Sequence, residues 1–210
     1  FIFSILAICI ILSPVFSGEY QTGTDAVVLS CRYGKTKLGT AKIAASFLFG
    51  LLAFTLHIIV AFAIPLGAYG IDGWDLPLQI NGTSVPYPLT FLEGTLVNLG
   101  VVYLVLTAMI GLTLFLSSKM KSPYLVLTVV IPVLFIPMFL SPNGTAGIYN
   151  LLVFLTPYQS LIPNFASYIS YQVGPAVLDS FTMNAAVYAV LTLILSPLAK
   201  TGFKKHQITA

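Results

Sequence analysis

The residues of this sequence that could do chemistry are few and widely spaced. Cys9, Cys31, His57 and His206 share no metal-ligand spacing, so neither a metal site nor a disulfide is expected. Asp72, Asp75, Glu93 and Asp179 are the only acids available to an active site on the outer loops, and they are too scattered to form one convincingly. Gly34-Lys35-Thr36 has the ending of a phosphate-binding loop, but such a loop needs a glycine five positions earlier, where this chain has Leu29. No catalytic residue, metal or cofactor is therefore expected on the chain, and it does not read as an enzyme.

The elements that must carry these residues are membrane spans. With 58% hydrophobic and 7% charged residues and a mean hydropathy of +0.98, the chain cannot cover a water-soluble globule, for which about 25% charged residues is usual. Its formal charge of +3 is small, so no nucleic-acid partner is expected. The basic residues fall into three clusters, Arg32 to Lys42, Lys119 with Lys121, and Lys200 to Lys205, separated by apolar stretches without Lys or Arg. Basic residues are retained on the cytoplasmic side, which makes the three clusters and the C-terminus cytoplasmic in a multi-pass protein of the cell membrane. The same segments could also meet anionic lipid head groups.

The charge-free runs 1–18, 43–71, 94–118, 122–178 and 180–199 contain 18, 29, 25, 57 and 20 residues. A hydrocarbon core of about 30 Å needs roughly 20 residues of helix, so four runs fit one span each. The 57-residue run must cross an odd number of times between Lys121 and Asp179, and three crossings do not fit. It crosses once, from Pro123 to the Ser141-Pro142-Asn143-Gly144 turn. The predicted fold is an all-α transmembrane bundle in one domain, with spans at about 1–16, 43–68, 94–117, 123–140 and 178–198. The remaining apolar stretch, 148–176, carries Pro157, Pro163 and Pro175 and reads as broken, re-entrant outer helices before the last span. The competing reading is one further span.

Asn81-Gly82-Thr83 and Asn143-Gly144-Thr145 are sequons that fall in outer loops, and they read first as turns. His57 lies within a span; a functional role competes with a hydrogen bond to a neighbouring helix, which is preferred. Pro132 and Pro137 should kink the fourth span, and Gly50, Ala53, Gly100, Ala108 and Gly111 permit close helix approach.

Segment 17–42 is the one polar stretch with a pattern. Thr22 and Asp25 stand three apart as in a capping box, Thr24 is a second possible cap, and Ala26 to Ser30 is a short helix that stops by Gly34. Its Val27, Val28 and Leu29 are apolar outside any span, so a partner surface or the lipid interface must receive them.

The pattern Glu19-x-x-x-Gly23-Thr24, Val28-Leu29-Ser30, Gly34-Lys35-x-Lys37-Leu38 and Ala41-Lys42, set between two spans, resembles the membrane subunits of ABC-2-type transporters. The resemblance implies a permease of an exporter, paired with a second permease subunit and with ATP-binding cassette subunits that hold ATP and magnesium. Segment 17–42 then corresponds to the coupling loop, with Glu19, Tyr20, Gly23, Thr24, Asp25, Val28, Leu29, Ser30, Arg32 and Gly34 as its contacts to the ATPase. Family members usually have six spans, so one span is expected upstream of Phe1. An ion-driven carrier or channel, and a membrane-embedded assembly factor or enzyme, are the rival readings. Single cysteines placed at positions 35, 80, 120 and 145 should be labelled from one side at 35 and 120 and from the other at 80 and 145; same-side labelling of 35 and 145 would end the five-span reading.

Overall fold

The computed structural model describes residues 1–30, 37–81 and 85–204, with backbone alone for Ala26, Val28, Leu29 and Asn81. Nine α-helices appear among the described residues: α1 (Ile2–Leu12), α2 (Pro14–Thr22), α3 (Asp25–Ser30), α4 (Gly39–Tyr69), α5 (Phe91–Ser117), α6 (Pro123–Phe135), α7 (Ile148–Phe154), α8 (Pro157–Ser160) and α9 (Ser180–Lys204). Two strands, β1 (Ser170–Val173) and β2 (Ala176–Asp179), pair antiparallel between α8 and α9.

Four rods are long and apolar enough to cross a membrane: Ile2–Thr22, Gly39–Tyr69, Phe91–Ser117 and Ser180–Lys204. Each overlaps a predicted span. The fifth predicted span, 123–140, is represented by the 13 residues of α6 and a 3₁₀ turn of four, Ile136–Phe139. At about 1.5 Å per α-helical and 2.0 Å per 3₁₀ residue it rises ~28 Å. The change of helix type falls at Pro137, which has no N–H to give to the carbonyl one α-turn earlier.

Helix boundaries depart from the predicted ones for local reasons. The first rod runs to Thr22, well past the predicted end near residue 16, so the polar segment begins inside a helix. Helix α5 starts at Phe91 instead of 94 because Thr90 and Glu93 cap it reciprocally. The Glu93 N–H donates to Thr90 Oγ1 (3.3 Å), and the Thr90 N–H donates to Glu93 Oε2 (2.9 Å). Stretch 148–176 contains the expected short helices, α7 and α8, but then folds into the hairpin, turned at Gly174 with φ +61°. The predicted all-α description is incomplete by this hairpin.

Helix α5 is the axis of the bundle. In its most apolar stretch 56% of residues are buried, against 17% in α4 and in α9. Glycines let neighbours approach it closely. A Cβ on Gly50 of α4 would collide with Ile110 of α5 and stand 3.3 Å from Ile8 of α1, and one on Gly111 would lie 3.2 Å from Leu195 of α9. Gly100, expected to act in the same way, has open space beside it. Interhelical hydrogen bonds add to this packing, between the hydroxyls of Thr55 and Tyr103 (2.8 Å) and between those of Thr107 and Thr192 (3.1 Å).

The short helices are tied to α9 by a satisfied buried network. Ser160 donates to Asn184 Oδ1 (3.0 Å), Asn184 Nδ2 to the Phe154 carbonyl (3.3 Å) and the Tyr188 hydroxyl to the Leu155 carbonyl (2.7 Å). The hairpin is anchored by Tyr171, whose hydroxyl donates to the Leu151 carbonyl (2.9 Å). Burial pushes the Tyr171 phenol up to about 12, which keeps the donor protonated. His57, expected to bond a neighbouring helix, is instead exposed on α4, near Phe54, with no hydrogen bond among the described residues. That face of α4 also exposes Leu52, Leu56, Ile59 and Val60.

Packing against Gly50 makes a specific demand. Gly50→Val should overpack the α1–α4–α5 contact and cost about 1–3 kcal/mol, whereas Gly100→Ala, in open space, should gain about 0.5–1 kcal/mol from helix propensity; thermal unfolding in detergent measures both.

Candidate functional site

The bundle has a basic end and an acidic end. Helix α2, the start of α4 and the ends of α5 and α9 converge at the first, where Lys42 lies over the rings of Phe16 and Phe203. Asp72, Asp75 and Glu93 belong to the opposite end, on the connection from α4 to α5 and at the α5 N-terminus.

The geometry of the basic end begins with Pro14. Proline has no N–H and its ring displaces the preceding turn, so the first rod breaks at Ser13 and the first amides of α2 lose their partners inside the rod. No side chain of α2 caps them. The last residue of α5 does so from across the bundle. Ser117, fully buried, accepts from the N–H groups of Phe16 (3.1 Å) and Ser17 (3.0 Å) and donates to the Ser13 carbonyl (2.7 Å). Ser17 Oγ donates to the same carbonyl at 2.7 Å. One hydroxyl thereby repairs a proline break within a buried bundle.

Around this joint the charged residues turn inward. Lys42 Nζ donates to the Val15 carbonyl (2.9 Å) and to Glu19 Oε1, bridging α4 to α2. It sits 5.4 Å from the centre of the Phe16 ring and 5.9 Å from that of Phe203, so a cation–π contact brings α9 into the same cluster. Phe16 and Phe203 pack on each other with centroids 4.7 Å apart. Gly39 makes room for Phe203, since a Cβ there would lie 3.0 Å from its ring. The second carboxylate oxygen of Glu19 is buried and has no hydrogen-bond partner among the described residues. A buried oxygen of this kind is a standing electrostatic cost that the single contact of Glu19 with Lys42 leaves unrelieved.

From the cluster the chain leaves through a sharp turn. Gly23 ends α2 with φ +69°, a left-handed conformation that suits glycine, and both its N–H and that of Thr24 (3.1 Å) donate to the Glu19 carbonyl. Helix α3 follows at once, as predicted in outline. The expected Thr22–Asp25 capping box does not form in that way. The Thr22 hydroxyl turns back to the Gly18 (3.0 Å) and Glu19 (3.3 Å) carbonyls and to Thr24 Oγ1 (3.0 Å).

Of the residues assigned to the coupling loop by resemblance, Glu19 is engaged internally and the Tyr20 hydroxyl donates to the Ser118 carbonyl at 3.4 Å. Gly23 and Thr24 build the turn, and Asp25 is buried at the start of α3. Ser30, at its end, is exposed and donates to the Val27 carbonyl (2.8 Å). Val28 and Leu29 belong to α3 by backbone, while Arg32 and Gly34 lie outside the described residues. Val27 projects from α3 at 68% exposure.

Sequence reasoning missed Ser117, Phe16 and Phe203, and it placed Lys42 in the basic cluster and in the coupling-loop pattern without its contacts to Glu19, Val15 and the two rings. Pro14 within an apolar run and the Ser117-Ser118 pair at the end of another were the available signals. Compared with protein-family models, with curated proteins and with solved structures, the chain matches none.

The cap across the bundle yields a clear expectation. Ser117→Ala should leave two buried amides without an acceptor and destabilise the protein by about 1–3 kcal/mol, with Ser117→Thr retaining most of the stability; guanidinium or thermal unfolding in detergent compares them.

Proposed function

We propose that this chain is the membrane-spanning subunit of an ATP-driven transporter of ABC-2 type, working with a second permease subunit and with ATP-binding cassette subunits that carry ATP and magnesium. The observation that carries the reading is α3: a short helix set between the first two long rods at the basic end, with Val27 68% exposed. The sequence pattern of segment 17–42 supports the same assignment.

The mechanism follows from how α3 is mounted. It is separated from α2 by the two-residue turn at Gly23 and Thr24, and α2 is clamped to α4 by Glu19 and Lys42 and to α5 by Ser117. A force delivered on α3 by a closing ATPase pair therefore acts on α2 and, through the clamp, on α4, α5 and α9 together. The break at Pro14 allows α2 to change direction relative to α1. Such a motion would open and close a path between two permease subunits, exporting a cargo across the cell membrane with the basic end cytoplasmic.

In this mechanism Val28 and Leu29, with the exposed Val27 beside them, are the apolar contacts to the ATPase, and Glu19 is a positioning residue that transmits the push. The tagged full-length protein purified from its own host should retain an ATP-hydrolysing subunit. Val27→Asp and Leu29→Asp should each release that subunit. Lys42→Met should keep it bound while lowering transport-coupled ATP hydrolysis several-fold, and Glu19→Gln in the same chain should recover part of the loss. Purification free of any ATPase, or full coupling in the two Asp variants, would overturn the reading.

A further inference from the structure

At the acidic end of the bundle the connection from α4 to α5 folds back onto the start of α5. Gly73 turns it with φ +91°, and the Gly73 carbonyl accepts the Leu76 N–H (3.2 Å). The Leu76 carbonyl accepts the Phe91 N–H (3.0 Å) and the Trp74 carbonyl that of Leu92 (3.1 Å), so the connection is stitched to the first turn of α5. Phe62 of α4 supports Trp74 from the other direction, with ring centres 6.4 Å apart.

Between the connection and the helix lies a pocket of about 340 Å³, lined by Asp72, Gly73, Trp74, Leu76, Phe91 and Thr95. Every lining residue comes from the connection or from the first two turns of α5, and none from α1. Trp74 and Phe91 are half-buried. Asp72 is exposed, and it makes no hydrogen bond or ion pair among the described residues. No Lys or Arg occurs between Lys42 and Lys119, so the sequence places no basic side chain on this connection to neutralise it.

The wall selects its occupant by charge and by shape. An anion is repelled by Asp72 and meets no basic partner. A hard metal ion such as calcium needs about six to eight oxygen ligands, and among the described residues no three Asp, Glu, His or Cys side chains converge. What the pocket offers is one carboxylate, two aromatic rings, an aliphatic side chain and one hydroxyl. Aromatic faces attract organic cations, and an alkylated ammonium asks for countercharge and apolar contact instead of a set of hydrogen-bond acceptors. Glu93 in the first turn of α5 offsets the positive end of that helix. The volume lies at the lower end of the range for small-molecule sites. We propose that the pocket binds an alkylated ammonium group of the choline type, with Asp72 as its countercharge and the rings of Trp74 and Phe91 against its N-methyl groups. A free solute and a lipid head group share this chemistry. The site stands on the pocket alone and does not depend on the transporter reading.

The test uses the full-length protein in dodecyl maltoside, a detergent with neither charge nor ammonium, and two probes: choline and 3,3-dimethyl-1-butanol, in which carbon replaces the nitrogen. Trp74 is the only tryptophan in the sequence, so its emission reports occupancy. Choline should change that emission saturably and bind about tenfold more tightly than the neutral probe. Asp72→Asn, at an exposed position that the fold does not need, should weaken choline about threefold to fivefold and leave the neutral probe unaffected. Asp75→Asn, at the neighbouring acid outside the lining, should leave choline binding unchanged. Dihexanoylphosphatidylcholine then separates the two sources. If it displaces choline at a concentration below that at which choline itself binds, the site serves lipid head groups; weaker or absent displacement assigns it to a free solute. An emission change that does not saturate, equal affinity for the two probes, or equal losses in the Asp72 and Asp75 variants would overturn the proposal.

Discussion

Inside a bilayer every backbone amide has to find its partner within the protein, and the architecture at the basic end is a response to that constraint. Pro14 breaks the first rod where lipid could offer nothing to the freed N–H groups of α2. Ser117 answers from the far end of α5, and to reach them α5 must run against α1 and α2 at close range. On its other sides α5 is approached closely by α4 at Gly50 and by α9 at Gly111. The packing of the three other rods around α5 and the repair of one proline are thus the same arrangement seen at two scales.

The same constraint separates the polar residues into two kinds. Ser117 and Asn184, buried, and Thr107, half-buried, are hydrogen-bonded across helices and act as rivets between them. Glu19 is half met, one oxygen on Lys42 and one unpartnered. A rivet holds one geometry, whereas a partly satisfied group leaves a gradient that another arrangement could relieve. The clamp between α2 and α4 is therefore the less settled of the two joints at the basic end.

How much of this was readable in the sequence depends on the range of the interaction. The four long rods are legible because charge-free length is a one-dimensional property, and the lysines mark one end for the same reason. The helix over Asp25–Ser30 is legible from its flanking Thr and Gly residues. Capping was read in the wrong place: Thr90 to Glu93 has the proper T-x-x-E signature before an apolar run, whereas Thr22 to Asp25 does not cap in that way, because Thr22 is still within α2 and bonds backward. Ser117 and Phe203 were invisible, since their partners lie about a hundred residues or more away in the chain. The hairpin at 170–179 was hidden by its position next to a proline-rich apolar stretch, whose composition does not distinguish broken helix from strand.

The unequal lengths of the helices have a consequence for the surrounding lipid. Helix α4, with 31 residues, extends ~46 Å, while α6 and its 3₁₀ turn reach only ~28 Å. A bilayer of about 30 Å matches neither equally, and hydrophobic mismatch is relieved by tilt on the long side and by membrane thinning or protein association on the short one. The rim of this bundle is thus anisotropic: it presses lipid toward different thicknesses on different flanks, which gives the membrane itself a preference for how such bundles face one another.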